Sequence, residues 1–579
     1  MMKVAQNIIL FATLCICALP RLVAQQDPAW TTPVKPFRIA GNLYYVGNKE
    51  LASYLITTPD GHIVINSGLE ANVPMIQASM KTLGFNITDV KYLLISHAHF
   101  DHCAGSAAFK KLSGALYMVM KEDSAVVASG GRNDFHYGQD AGALYPPTRV
   151  DHSLNDGDIV SLGTTRLVAH RTAGHTRGCT TWTMNVEEKG KIYSVVIAGS
   201  MGVNPGYRLV GTPSYPSIES DYERTFASMK EMPCDIFLGA HASFFDLERK
   251  AKAAIKQGVR AFVDPRGYAE FVARKEEDFK RERARQLRSL YHRTVAITID
   301  DLPFWGGGTL SEQQIGTKKM LKALAADSVQ AAVFVIGKRV DVVGEKAARM
   351  NMIRAWRDAG HSLHNHSYSH RPYSVTDATE YLADVQKGEA IVAPLRAERP
   401  TAATPPYFRA PYNDLGGSQG KRDSLMALLA RDGVRLAPFT VEHSDYMFNT
   451  VYSMARYVKD TARASKVRRA YLDHLDTAFA FAERTSQDMF KRQIPQVFLI
   501  HANTLNADCL SEMLQRLRYR GYTFVPFDKA VSDSAYQTPD LFVEKWGLSW
   551  LHRWRLALKL PSVRRDEPEP PLWIQEGCK

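Results

Sequence analysis

The sequence predicts an α/β protein built as two successive domains, and three observations carry that reading. Apolar runs of strand type recur along the chain, and several end abruptly in histidine or aspartate. The 18 histidines fall into two groups of nine, His62 to His241 and His292 to His552. Between the groups, Ala269 to Arg293 carries eight Lys/Arg and five Asp/Glu, the composition of a solvated helix closing the first domain. Thr294–Ile299 follows as a fresh buried strand and places a boundary near residue 290.

The elements are taken in chain order. Lys3, the apolar run Ile8–Leu19 and Leu22-Val23-Ala24 form the pattern of an export signal over residues 1–24, which assigns the mature protein to the periplasm or the exterior. That run is 12 residues, short of the ~20 a bilayer span needs, and no later segment reaches that length, so no transmembrane anchor is expected. Residues 25–290 then form the first domain and 291–540 the second. In 541–579, Trp546, Trp550 and Trp554 recur every four residues, which predicts one helix face packed on the second domain. A stiff, extended tail is expected from Asp566 to Pro571. Of 579 residues, 45% are apolar and 23% charged, which excludes wholesale disorder. The net charge of +12 is scattered, which argues against a nucleic-acid partner. Seven cysteines without a C-x-x-C pair exclude a disulfide scaffold, and losing Cys15 and Cys17 with the signal leaves an odd five.

The first chemical constellation follows Val90–Ser96. His97 and His99 point the same way if the chain stays extended, and Asp101 and His102 follow in the turn. Four such groups in six residues are costly to bury without a cation, and neutral imidazole with carboxylate suits zinc. His175 follows the strand-like Leu167–Ala169, and His241 follows Cys234–Ala240, so loops can gather all six at one rim. The pattern resembles the metallo-β-lactamase superfamily, specifically its subclass B3, over about residues 30 to 288. Val195–Ala198 ends in Gly199-Ser200 where many relatives place a bridging aspartate, and that serine together with His102 matches B3. The resemblance implies an αββα sandwich and two zinc ions, one held by His97, His99 and His175, the other by Asp101, His102 and His241. It also implies a catalytic part for Asp101 and makes Ser200 the candidate for the substrate carboxylate. Asn66 stands where many relatives carry aspartate, and Gly202 lacks a side chain that some use on substrate. Cys103 and Cys179 read as packing residues.

The second constellation opens with Asp300-Asp301, two adjacent carboxylates that need one cation and one proton to coexist. His366 and His370 lie four apart, and on one helical turn they would face a common metal. Arg409, Asp445 and, after the apolar run Val497–Ile500, His501 complete the set. Acidic and imidazole groups at the ends of separate buried strands suit a barrel enzyme. The set resembles the polysaccharide deacetylases of NodB type over about residues 292 to 540, which implies an irregular (β/α) barrel. By position, Asp301, His366 and His370 would hold one divalent metal, zinc by donor type. Asp300 would be general base, His501 general acid, Arg409 would orient Asp300, and Asp445 would tune His501. Leu302 and Tyr446 replace the family's usual glycine and tryptophan, while His361, His364 and His443 read as structural.

These resemblances imply a bifunctional zinc hydrolase that opens β-lactams, hence antibiotic resistance, and removes N-acetyl groups from a peptidoglycan or chitin-like glycan. Two alternatives stay open. The first half could open a lactone or thioester instead, and either half could be an inactive glycan-binding module.

Overall fold

The computed structural model of the protein describes residues 27–306, 308–398 and 405–579. The expected export signal lies outside the described residues. The chain divides into two compact units at Phe279/Lys280. That point falls inside one continuous helix, Pro265–Tyr291, which runs almost directly into the strand at Thr294, whereas the sequence suggested a helix belonging wholly to the first domain.

The first unit is a four-layer αββα sandwich. Its seven-stranded sheet runs in chain order: β1 (Phe37–Ala40), β2 (Leu43–Tyr45), β3 (Tyr54–Thr58), β4 (Gly61–Ile65), β5 (Val90–Leu94), β6 (Leu116–Met120) and β7 (His152–Leu154). Pairing is antiparallel up to β4 and parallel from there. The second sheet holds β8 (Ile159–Leu162), β9 (Thr165–Arg171), β10 (Thr180–Glu188), β11 (Lys191–Ala198) and β12 (Ile236–Gly239), with only β11 and β12 parallel. Period-two alternation sorts the first sheet's side chains. Tyr54, Ile56, Ile63, Ile65 and Leu94 face the inter-sheet core with Trp182, Val195 and Ile197. Leu55, Val64 and Leu93 face the other way, onto Val73, Ile76 and Met80 of the Val73–Thr82 helix.

The second unit is built on a parallel sheet of seven strands: β13 (Thr294–Leu302), β14 (Ala332–Val335), β15 (Ser362–Asn365), β16 (Tyr407–Phe408), β17 (Arg435–Leu436), β18 (Gln496–His501) and β19 (Thr523–Phe524). The order is β17-β16-β15-β14-β13-β18, with β19 beside the start of β13. Beyond β17 the chain bridges Val441 to Phe498 of β18, so the curved sheet comes round on itself as an irregular barrel. β13 and β14 are buried over nearly their whole length, as strands covered on both faces must be.

One expectation for the C-terminal segment is corrected. The helix begins only at Trp550, which with Trp554 is buried in the core, while Trp546 precedes it with φ 55° and is 55% exposed. The Glu567–Pro571 stretch carries no helix, with ψ 130° and 142° at its two ends, and the chain then forms the helix Leu572–Gly577, with Ile574 fully buried in the second unit's core. Among the described residues all five cysteines are free, Cys103 and Cys179 being buried. No helix among the described residues is long and apolar enough to cross a membrane.

Candidate metal centres

Beyond β5 the chain bends at Ser96, Ala98 and His99, and His97 and His99 present their rings together, with centroids 4.8 Å apart. A short turn, Phe100–Cys103, then swings Asp101 and His102 onto the same cluster, the His102 ring centroid 4.3 Å from that of His97. His175 arrives from the loop after β9 and His241 from the end of β12. The six groups converge in two trios. His99 Nδ1 lies 3.1 Å from His175 Nε2, with the His97 ring perpendicular to both. Asp101 Oδ2 lies 3.0 Å from His102 Nε2 and 3.4 Å from His241 Nε2, and the two nitrogens are 3.1 Å apart.

Outer contacts fix which nitrogens face inward. His175 Nδ1 donates to the Gly202 carbonyl at 2.7 Å, and His241 Nδ1 faces Glu50 Oε1 at 3.3 Å. A ring whose Nδ1 carries the proton has a bare lone pair on Nε2, and both lone pairs aim at their neighbours' donors. Ring nitrogens 3.1 Å apart in both trios are held together either by a shared proton or by a cation that replaces it. His97, His99 and His175 offer ligand atoms within 4.8 Å of one another, as do His97, Asp101 and His102, so the residues fit a metal pair. Burial and the surrounding imidazoles hold His97 and His175 well below the usual histidine range. His241 is the exception: burial opposes its charge, but Asp101 and Glu50 raise it to about 9.

Asp123, not singled out by spacing, anchors the ligand loops. Its Oδ2 accepts from the Ala98 N–H at 3.0 Å and the Thr176 hydroxyl at 2.7 Å, and its Oδ1 from the Gly178 N–H at 2.8 Å. One buried carboxylate thereby ties the loop of His97 and His99 to that of His175. Gly174, at φ 131°, is packed so closely on Tyr222 that a β-carbon would sit 2.6 Å from its ring. Asn66 offers Nδ2 to His102 Nδ1 at 3.5 Å. The cavity, about 420 Å³, is lined by His99, Asp101, His175 and His241 with Ser200, Gly202, Asp134, Tyr137 and Lys275, while His97 and His102 lie buried behind them.

In the second unit, β13 shifts register against β14 between Ile299 and Leu302, and Asp301 takes φ 70°. The irregularity aims two adjacent carboxylates at different partners. Asp300 accepts from Arg409 Nη1 at 2.9 Å, and the same nitrogen donates to Thr298 Oγ1 at 2.8 Å. Asp301 Oδ1 is buried without a hydrogen-bond donor and lies 3.7 Å from His366 Nε2 and 3.4 Å from His370 Nε2. His366 Nδ1 donates to the Arg409 carbonyl at 2.7 Å, leaving its Nε2 lone pair toward Asp301. The trio's ligand atoms lie within 4.8 Å of one another and fit one cation. The histidines do not share a helical turn as their spacing suggested: they sit in the loop after β15, where Ser367 and His370 both take positive φ.

Burial pushes the Asp300 carboxyl up, with Arg409 opposing. Burial also acts to raise Asp301, but Arg339 and the surrounding imidazoles leave it lowered. Arg339 Nη1, 3.5 Å from Asp301 Oδ2, was not marked by any motif. His501 pairs with Asp300 across the β13–β18 register, and its Nδ1 lies 2.7 Å from Asp445 Oδ1. Burial opposes charge on that ring, but Asp445 lifts it to about 10. The cavity here is about 480 Å³, lined also by Trp305, Tyr412, Glu442, Tyr446 and Trp546. His361, His364 and His443 are buried and lie outside that lining.

Fold and site together define metal-binding hydrolases in both halves. Residues 51–241 match the family model of the metallo-beta-lactamase superfamily, and residues 288–418 that of polysaccharide deacetylase. The native metallo-beta-lactamase of Legionella gormanii is 55% identical, covering 44% of this chain and 98% of its own, with TM-score 0.44. A class B3 di-zinc metallo-beta-lactamase from an Alaskan soil metagenome is 36% identical over 44% and 96%, with TM-score 0.43. A metal-dependent hydrolase of Anaeromyxobacter dehalogenans is 27% identical over 37% of this chain and 69% of its own. The chain thus belongs to the metallo-β-lactamase superfamily through its first half and carries a polysaccharide deacetylase domain in its second, both hydrolytic.

Proposed function

We propose that the protein is an exported, bifunctional zinc hydrolase that opens β-lactam rings with its first unit and deacetylates an N-acetylated cell-wall or related glycan with its second. The observation that carries the first activity is the pair of convergent donor trios in one cavity, with Ser200 on its wall. For the second it is the separation of Asp300 from Asp301 by partner and by charge. Metals at these sites would supply Lewis acidity and a water that is deprotonated near neutral pH. The chain's own groups do the rest. In the first cavity Asp101, His102 and His241 would hold a metal whose charge would stabilise the departing lactam nitrogen, and Ser200 offers a hydroxyl to the substrate carboxylate. In the second, Asp300, oriented by Arg409, takes the proton of the attacking water, and His501, oriented by Asp445, returns one to the leaving amine. The export-signal pattern of residues 1–24 supports a location in the periplasm or outside the cell, where β-lactam hydrolysis would confer antibiotic resistance.

The test is metal content with two assays on one preparation, nitrocefin or a carbapenem and acetate release from an N-acetylglucosamine oligomer. Two zinc ions and one further divalent ion per chain are expected, and a chelator should abolish both activities. His97→Ala should lower β-lactam turnover by about 10²-fold or more while leaving acetate release unchanged. At most one metal per zinc-supplied chain sinks the reading of both sites. Zinc-loaded protein that leaves nitrocefin and carbapenems untouched passes the first unit to lactone or thioester substrates.

A further inference from the structure

The first cavity contains one charged group that the metal sites do not use. Lys275, half-buried on the Pro265–Tyr291 helix, holds its ammonium over the rings of Phe244 at 5.5 Å and Phe271 at 5.8 Å. The carboxylates lining the same cavity are engaged elsewhere. Glu50 meets His241 and accepts from the Ser243 hydroxyl, and Asp101 meets His102 and His241. Asp134 faces His99 and accepts the N–H groups of His136 and Tyr137. Aromatic faces attract the ammonium weakly and leave its three donors open to a ligand.

Gly202 shapes the space in front of it. A β-carbon there would lie 3.8 Å from Ser200 Oγ and 3.9 Å from Lys275 Nζ, so the missing side chain leaves a slot between a hydroxyl and an ammonium. The slot is held rigid because the Gly202 carbonyl accepts from both His175 Nδ1 and the Tyr222 hydroxyl, each at 2.7 Å. One carboxylate accepting from each donor at about 2.8 Å can bridge it.

We propose that Lys275 and Ser200 form an anion subsite that binds the carboxylate of the substrate, with Lys275 setting the first unit's preference for anionic substrates. This rests on the β-lactam reading of that cavity. Lys275→Met keeps the aliphatic stem over the two phenylalanines and removes only the charge. It should raise KM for a carboxylate-bearing β-lactam about 10- to 100-fold, with kcat within about threefold and metal content unchanged. Lys275→Arg should recover most of the loss. The methyl ester of the same β-lactam should have the same KM with wild type and Lys275→Met. If wild type turns over the free acid and Lys275→Met does so with unchanged KM, the inference is overturned while the function stands. If wild type turns over neither acid nor ester, the β-lactam reading falls and the inference falls with it.

Discussion

Asp300 and Asp301 have one chemistry and two backbones. The first lies in regular strand opposite His501, and the second turns through the left-handed region toward two imidazoles. The roles should therefore separate on mutation. Asp301→Asn should release metal from the second unit, because a neutral amide is a poor cation ligand. Asp300→Asn should keep the metal and lose about 10²- to 10⁴-fold in acetate release. Metal content and rate measured on both variants decide it, and metal loss in Asp300→Asn with none in Asp301→Asn would falsify the assignment. His501 gives a pH test. An acid must be protonated to act, so activity persists below its pKa and falls as pH rises through it. Asp445 holds that pKa near 10, so Asp445→Asn should move the alkaline limb of the acetate-release profile to lower pH. An unmoved limb would remove His501 from the role of acid.

Among the elements, strands announced themselves and loops did not. Leu93–Ile95 and Val497–Ile500 are apolar and buried, so the ligands that follow them stood out in the sequence. His366 and His370 were legible as a pair, but spacing of four cannot distinguish a helical turn from a loop bent by two left-handed residues. Asp123, Arg339 and Lys275 were illegible for another reason. Each acts from an element far along the chain, and only folding brings it beside a ligand loop. Trp546 shows the same limit. Its interval from Trp550 implied a shared helix face, yet the helix starts after it. The Gly547 N–H donates to the Tyr412 carbonyl at 3.0 Å, which holds the exposed indole at the cavity edge against Tyr412, ring centroids 5.2 Å apart. An indole so placed can stack on the apolar face of a sugar ring. Trp546→Ala should raise KM for an N-acetylglucosamine oligomer roughly 2- to 10-fold and leave hydrolysis of a small acetyl ester unchanged. Equal effects on both substrates would assign it to structure alone.

Over the whole molecule, two separate cores carry two separate sets of strand-end ligands. The second cavity has a further property in its backbone. Asp301, Ser367, His370, Tyr412, Asn413 and Ser444, none of them glycine, take φ between 51° and 70°. Each such residue costs roughly 1 kcal/mol against a net stability of about 5–15 kcal/mol for a domain. Ser444 makes no side-chain capping bond, so Ser444→Gly should raise the melting temperature of the metal-free second unit by about 2–4 °C. A calorimetric scan showing no gain, or a loss, would mean the strain is relieved elsewhere. The geometry of the second site is thus held against the preference of its own chain. In a lineage released from that chemistry, drift should first replace these left-handed positions with glycine or asparagine. The ligands could persist for a time after the backbone that aims them has relaxed, so a descendant could keep every histidine and aspartate and still have lost the enzyme.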